Sequence, residues 1–201
     1  MAVQNSSLSE FKSKLIGGGA RPNLFQVEMN NLPTGVQALD QKVFSYLVKA
    51  ANLPASNVAS IDVPFRGRTF KVAGDRTFDT WTVTVINDTD FKIRESMEQW
   101  AQMVAQYQDA SGATNPNSYL RKATVKQLGR KKSNIGNGKD KSLNNGLEEI
   151  AVYIFEDIFP INISAIDLSY DTTDTIEEFT VEFAVNYWYP ENKDGPSGKQ
   201  G

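Results

Sequence analysis

The clearest pattern lies near the C-terminus, where Phe179, Val181, Phe183, Val185 and Tyr187 alternate with Glu178, Thr180, Glu182, Ala184 and Asn186. Successive side chains on a strand point to opposite faces, so this alternation predicts a strand with one face on a core and the other on water or a partner. Trp81, Val83 and Val85 alternate with Thr82 and Thr84 in the same way. Further strands are predicted over 23–30, where Phe25, Val27 and Met29 oppose Leu24, Gln26 and Glu28, and over 43–51 and 119–128. Ile150, Val152 and Ile154 line another, and Ile166, Leu168 and Tyr170 one more. Residues 61–76 read as extended but interrupted by Pro64 and Gly67, which predicts edge or bulged strands and a long loop rather than a central strand.

Two stretches carry helical spacing. Ile93, Met97, Trp100, Ala101 and Val104 share one face behind the capping residues Asn87-Asp88-Thr89, in a helix that ends by Ser111-Gly112. Leu8, Phe11 and Leu15 form a short apolar face, with Ser7 and Glu10 spaced as a capping box, and Gly17-Gly18-Gly19 stops that helix. Together these elements predict an α+β domain, mostly β: two packed antiparallel sheets, sandwich- or barrel-like, with one main flanking helix. The expected organisation is an N-terminal arm over 1–19 with a short helix and a glycine hinge, a β domain over 20–189, and a disordered tail over 190–201 rich in Gly, Pro and Lys.

Composition narrows the chemistry. A chain of 201 residues with 40% hydrophobic content can bury a core without disulfides or metals. It contains neither cysteine nor histidine, which excludes disulfide frameworks, Cys/His zinc sites, cysteine nucleophiles and Ser-His-Asp triads. The formal net charge of −3 argues against general polyanion binding. No apolar run approaches the ~20 residues needed to cross a bilayer, and Met1 to Ser6 lack the basic and apolar segments of a secretory signal, so a cytoplasm-like compartment is expected.

The remaining candidates for chemistry are weak. Gly17-Gly18-Gly19-Ala20-Arg21 lacks the spacing of a phosphate-binding loop and reads as a hinge. Neither Glu148-Glu149 nor Glu177-Glu178 converges on one atom, because neighbours on a strand diverge. Asp171, Asp174, Glu177 and Glu178 lack calcium-loop spacing. Lys126, Arg130, Lys131, Lys132, Lys139 and Lys141 surround Asn134 to Gly138 as a basic hairpin tip. With no interleaved aromatics for base stacking, this reads as a solvated loop or one that docks on an acidic protein. Trp81, Trp100 and Trp188 fit core packing better than a ligand cage.

Two strings go beyond periodicity: Arg21-Pro22-Asn23-Leu24-Phe25-Gln26-Val27-Glu28, and Val72-Ala73-Gly74-Asp75-Arg76-Thr77-Phe78-Asp79 followed by Trp81-Thr82-Val83-Thr84-Val85. With a helix containing Arg94 and Trp100 and the closing run Phe179 to Trp188, they resemble the tail tube proteins of contractile-tailed, T4-type bacteriophages over about residues 20–189. The resemblance implies a non-enzymatic subunit, without cofactors, that forms hexameric rings stacked into a hollow tube inside a contractile sheath. Neighbouring sheets would join into a tube-lining β-barrel through which DNA leaves. The implied partners are other copies of the chain, the sheath, baseplate and tail terminator proteins, and a tape measure protein in the lumen; DNA passes without specific binding, and no membrane anchor is involved. The implied location is the virion tail, assembled in the host cytoplasm.

On that basis Phe65, Arg66, Arg68, Phe70, Asp75 and Arg76 are candidates for ring-to-ring stacking, and Leu8, Phe11 and Leu15 for an arm that docks on a neighbour or folds back. Arg130, Lys131 and Lys132 mark the basic loop. Glu178, Thr180 and Glu182 are lumen-facing candidates, with Thr82 and Thr84 as the alternative face. The competing expectations are a baseplate tube initiator, a bacteriocin or type VI secretion ring protein, or a monomeric ligand-binding sandwich.

Overall fold

The computed structural model describes residues 8–14, 19–37, 39–109, 111–132 and 147–191. The chain is mostly β, with two antiparallel sheets and few helices. In chain order the elements are α1 (Leu8–Lys14), β1 (Phe25–Asn30), α2 (Gln41–Leu47), β2 (Val48–Ala51), β3 (Ser56–Phe65), β4 (Arg68–Phe78), β5 (Trp81–Ile86), α3 (Lys92–Val104), α4 (Pro116–Tyr119), β6 (Arg121–Lys132), β7 (Leu147–Ile163), β8 (Glu178–Ala184) and β9 (Tyr187–Pro190). The larger sheet runs β1-β6-β7-β8-β5-β2, with β9 also paired to β7; β3 and β4 form the other sheet by themselves.

The two packed layers expected from the sequence are the two halves of this one larger sheet. β7, 17 residues long, belongs to both. Its first part pairs with β6 and β9, and its last residues pair with β8. Between them the ladder slips opposite Arg121 and Ala123, and Asp157 takes a left-handed φ of 55°. A bulge of this kind bends a strand, and here it separates the part of β7 that serves β6 and β9 from the part that serves β8. Val27, Met29, Ala123, Val125 and Phe155 from one half then meet Trp81, Val83, Val85, Phe179, Val181 and Phe183 from the other in a single core. Trp81 lies at the centre, stacked on Phe155 at 4.8 Å and against Phe183 at 5.2 Å.

The main helix α3 closes one side of this core with Ile93, Met97 and Trp100, whose indole donates to the Tyr119 carbonyl at 2.8 Å. Its start differs from the expected cap. Phe91 occupies the cap position at φ 55° with no side-chain bond, because Asn87 is engaged elsewhere, donating to Glu177 Oε2 at 2.8 Å. The helix also ends at Val104, short of Ser111-Gly112.

Four strand expectations are corrected. The 43–51 stretch is helix first: the Asp40 carboxylate accepts from the Lys42 amide at 2.9 Å, α2 buries Phe44, and only Val48–Ala51 pairs as a strand. Short apolar runs fit either period, and the Asp40 cap decides this one. Ile166, Leu168 and Tyr170 form no strand, since Ser169 bonds locally with Asp171 and Thr172 and turns the chain. The final strand is two: β8 stops at Ala184, and β9 crosses to pair with β7. The strand predicted at Tyr119 begins instead at Arg121, after the one-turn α4, where the Asn115 side chain accepts from the Asn117 amide.

Candidate assembly surfaces

The segment from Ser56 to Phe78 is a regular hairpin rather than a broken loop. Phe65 faces Arg68, and Arg66 and Gly67 between them have φ of 45° and 80°. Positive φ at both central residues is what a tight hairpin turn needs to match strand twist, so Gly67 makes the structure it was expected to interrupt. Pairing places Ile61, Val63 and Phe65 beside Val72, Phe70 and Arg68 on one face; Asp62 and Pro64 lie beside Lys71 and Thr69 on the other. The hairpin is therefore amphipathic, yet its apolar face is bare: Phe65 is 66% and Phe70 65% exposed. Among the described residues no other strand pairs with it. An isolated two-stranded ribbon is marginal in water, and here Phe78, edge-on to Trp188 at 6.1 Å, ties its base to the domain.

Phe65, Arg66, Arg68 and Phe70 thus come together at the tip, where the Arg66 guanidinium lies 5.3 Å from the Phe65 ring centre. Asp75 and Arg76 lie apart from them, toward the base, where Arg76 donates to Ser56 Oγ at 3.2 Å.

On α1, Leu8 and Phe11 are largely exposed; Ser7, Leu15 and Gly17-Gly18 fall outside the described residues. The basic loop is corrected in part. Arg130, Lys131 and Lys132 are the last residues of β6, with Lys132 opposite Leu147, so they belong to a strand end. Lys139 and Lys141 fall outside the described residues, as does the tail beyond Glu191.

Glu178, Thr180 and Glu182 lie on the face of β8 opposite the core, paired directly with Ile86, Thr84 and Thr82 of β5. The two alternative polar faces seen in the sequence are one face. Thr84 and Thr180 hydroxyls meet at 3.3 Å, and Lys49 donates to Glu178 at 2.6 Å.

A charge cluster on the other half of the sheet is not readable from the sequence, because its members lie on four strands, β1, β6, β7 and β9. Lys126 meets Glu28 at 2.9 Å and Glu149 at 3.4 Å, while Glu156 binds Lys122 and accepts from the Tyr189 hydroxyl at 3.1 Å. Burial alone would lower the Lys126 pKa, but its hydrogen bond to Glu28 and the nearby carboxylates outweigh that and raise it above 10.5. The Glu156 bond raises Lys122 likewise, and burial raises the Tyr189 phenol above 10.0. A group whose folded pKa exceeds its unfolded one stabilises the fold below the unfolded value, and that contribution is lost as pH climbs through the folded value. The melting temperature is therefore expected to fall above pH 10.5, and to fall less steeply in Lys126→Met. Thermal melts in an alkaline buffer series check this.

Asp171, Asp174, Glu177 and Glu178 do not converge: among the described residues no group of three carboxylates is placed to hold a metal.

Residues 20–191, nearly the whole described domain, match the phage tail tube protein family. The chain belongs to that family. This tail tube family member is 34% identical over 172 residues to the tail tube protein gp19 of Enterobacteria phage T4, covering 86% of this chain and 92% of the relative. It is 23% identical over 180 residues to the tail tube protein of Serratia phage KSP90, covering 88% and 93%. Its fold is that of a chain in the sheath-tube complex of an extracellular contractile injection system, PVC, at TM-score 0.56 and 11% identity, covering 89% of this chain and 96% of that one. A chain in the tube-terminating cap of the anti-feeding prophage superposes at TM-score 0.55 and 13% identity, covering 95% and 94%. The tail tube resemblance read from the ARPNLFQVE and VAGDRTFD strings is thereby borne out.

Proposed function

We propose that copies of this chain stack as hexameric rings into the hollow inner tube of a contractile phage tail, the conduit through which DNA is ejected. The observation that carries this reading is the bare apolar face of the β3–β4 hairpin on a chain of the tail tube family. Such a face on a two-stranded ribbon is an unfilled interface. In the assembled tube the hairpin bridges rings, the arm through residue 19 docks on a neighbour, and joined sheet edges line the lumen as a β-barrel. The role is structural rather than enzymatic. The sheath surrounds the tube, the baseplate starts it, a terminator ends it, and a tape measure protein occupies the lumen before DNA does. The site of action is the virion tail, after assembly in the host cytoplasm. The sheath-tube complex and terminating cap whose chains share this fold support these partners. They also favour, as the second reading, the tube of a related contractile injection machine.

The face bearing Glu178, Thr180, Glu182, Thr82 and Thr84 lines the lumen in this reading. Glu178 is paired with Lys49, which leaves Glu182 to repel phosphate, so DNA slides without electrostatic trapping. Glu182→Lys is expected to leave tube assembly intact and to slow genome release in a salt-dependent way, measured by release of packaged DNA at low and high ionic strength. Electron microscopy of the purified chain, with its mass in solution, tests the wider reading. Hexameric rings or hollow tubes are expected; rings of another order or amorphous clusters would overturn it.

A further inference from the structure

The hairpin needs a receptor, and the structure offers one at the end of the larger sheet opposite to the end from which the hairpin leaves. Trp81 pairs with Phe183 at one end of the β5–β8 ladder, and Ile86 pairs with Glu178 at the other. The hairpin enters and leaves at the Trp81 end, since β4 leads through Asp79 into β5 and Asn52 bonds the Thr82 carbonyl on the way to β3. Residues 164–177 form the connection into β8 at the Glu178 end, held by Asn87, whose backbone N–H donates to the Glu177 carbonyl at 2.9 Å. Roughly 17 Å of strand separates the two ends.

The surfaces at these ends are complementary. The hairpin face is apolar and ends in two cations, Arg66 and Arg68, that form no ion pair among the described residues. The 164–177 loop frames an open groove of about 750 Å³ in which Leu168 is 85% exposed and Tyr170 fully so. Asp167, Asp171 and Asp174 on that loop likewise form no ion pair among the described residues, and the loop carries no Lys or Arg.

We propose that the 164–177 loop is the docking site for the β3–β4 hairpin of a second copy of this chain. Leu168 and Tyr170 cover Phe65 and Phe70, and the aspartates meet Arg66 and Arg68. The contact is heterologous: each copy offers a hairpin at one end and a loop at the other, so docking does not close on itself and copies add in one direction without limit. Unpaired opposite charges steer the encounter and set which copy faces which. This inference rests on the reading that the hairpin joins rings and adds the surface it joins to.

Charge exchange tests the pairing. Arg66→Glu with Arg68→Glu forms one variant, Asp167→Lys with Asp171→Lys and Asp174→Lys a second, and all five changes a third. Every site is exposed, and circular dichroism and a melting curve confirm that each variant folds. Tube yield is read by electron microscopy and by pelleting. Each reversal alone is expected to cut yield by about tenfold or more, as like charges meet across the contact, and the five-fold variant to restore most of it. A loop reversal that leaves yield unchanged while the hairpin reversal abolishes it overturns this docking site and leaves the hairpin's role standing. A hairpin reversal without effect overturns both. Losses in each that the combined variant does not repair overturn the pairing.

Discussion

Replacing both Phe65 and Phe70 with serine is expected to leave a folded chain that no longer builds tube. Both side chains are about two-thirds exposed in the single chain, so their removal takes almost nothing from its stability, within about 0.5 kcal/mol as for ordinary surface changes. In the proposed tube contact the same rings are buried against a neighbour. Full burial of a phenylalanine contributes roughly 1.5–3 kcal/mol and two-thirds of each ring remains to be buried, so the double change weakens each hairpin contact by roughly 2–4 kcal/mol. On the proposed reading every copy makes that contact, so the loss recurs along the whole polymer. Matching melting curves for variant and parent, beside tubes in the parent alone under the microscope, give the expected result. A variant that melts early indicates instead that the hairpin packs on its own domain, and normal tubes indicate that the face docks on nothing.

Trp81→Ala is expected to have the largest effect on the fold itself. The ring is fully buried and touches both halves of the bent sheet, stacked on Phe155 and tilted against Phe183. Truncating a buried tryptophan costs about 3–5 kcal/mol, a large share of the roughly 5–15 kcal/mol that holds a domain together. The urea midpoint falls accordingly, with the slope of the transition unchanged. Trp81→Phe separates packing from polarity. The indole Nε1 of Trp81 has no hydrogen-bond partner among the described residues, so the phenylalanine variant removes volume but no bond, and its cost stays well below that of alanine.

What the sequence made legible follows the strength of its periodicities. β5 and β8 alternate without interruption, and both were readable because each is central, with one face wholly on the core. The helix around Trp100 was readable from Ile93 and Met97. The break between β8 and β9 was not, because Val185 and Tyr187 continue the alternation across the point where the backbone leaves the sheet. Residues 164–177 misled for the opposite reason: Ile166, Leu168 and Tyr170 alternate as a strand does, while Ser169 turns the chain by bonds to its own neighbours. The signal available there was the run Asp171-Thr172-Thr173-Asp174, rich in turn formers.

The candidate surfaces divide similarly. Pro64 and Gly67, usual strand breakers, make residues 61–76 read as an interrupted loop; in the structure an outward-facing edge position and a tight turn accommodate them in a regular hairpin. That Thr82, Thr84, Thr180 and Glu182 share one face required register, which no spacing along the chain supplies. The cluster of Lys126 with Glu28 and Glu149 required the same knowledge.

Growth from a seed decides whether this chain builds a tail tube. Purified baseplates mixed with the folded chain are expected to extend hollow tubes whose length rises with the amount of chain added, visible by electron microscopy. Baseplates that stay bare at every concentration of folded chain would contradict the account.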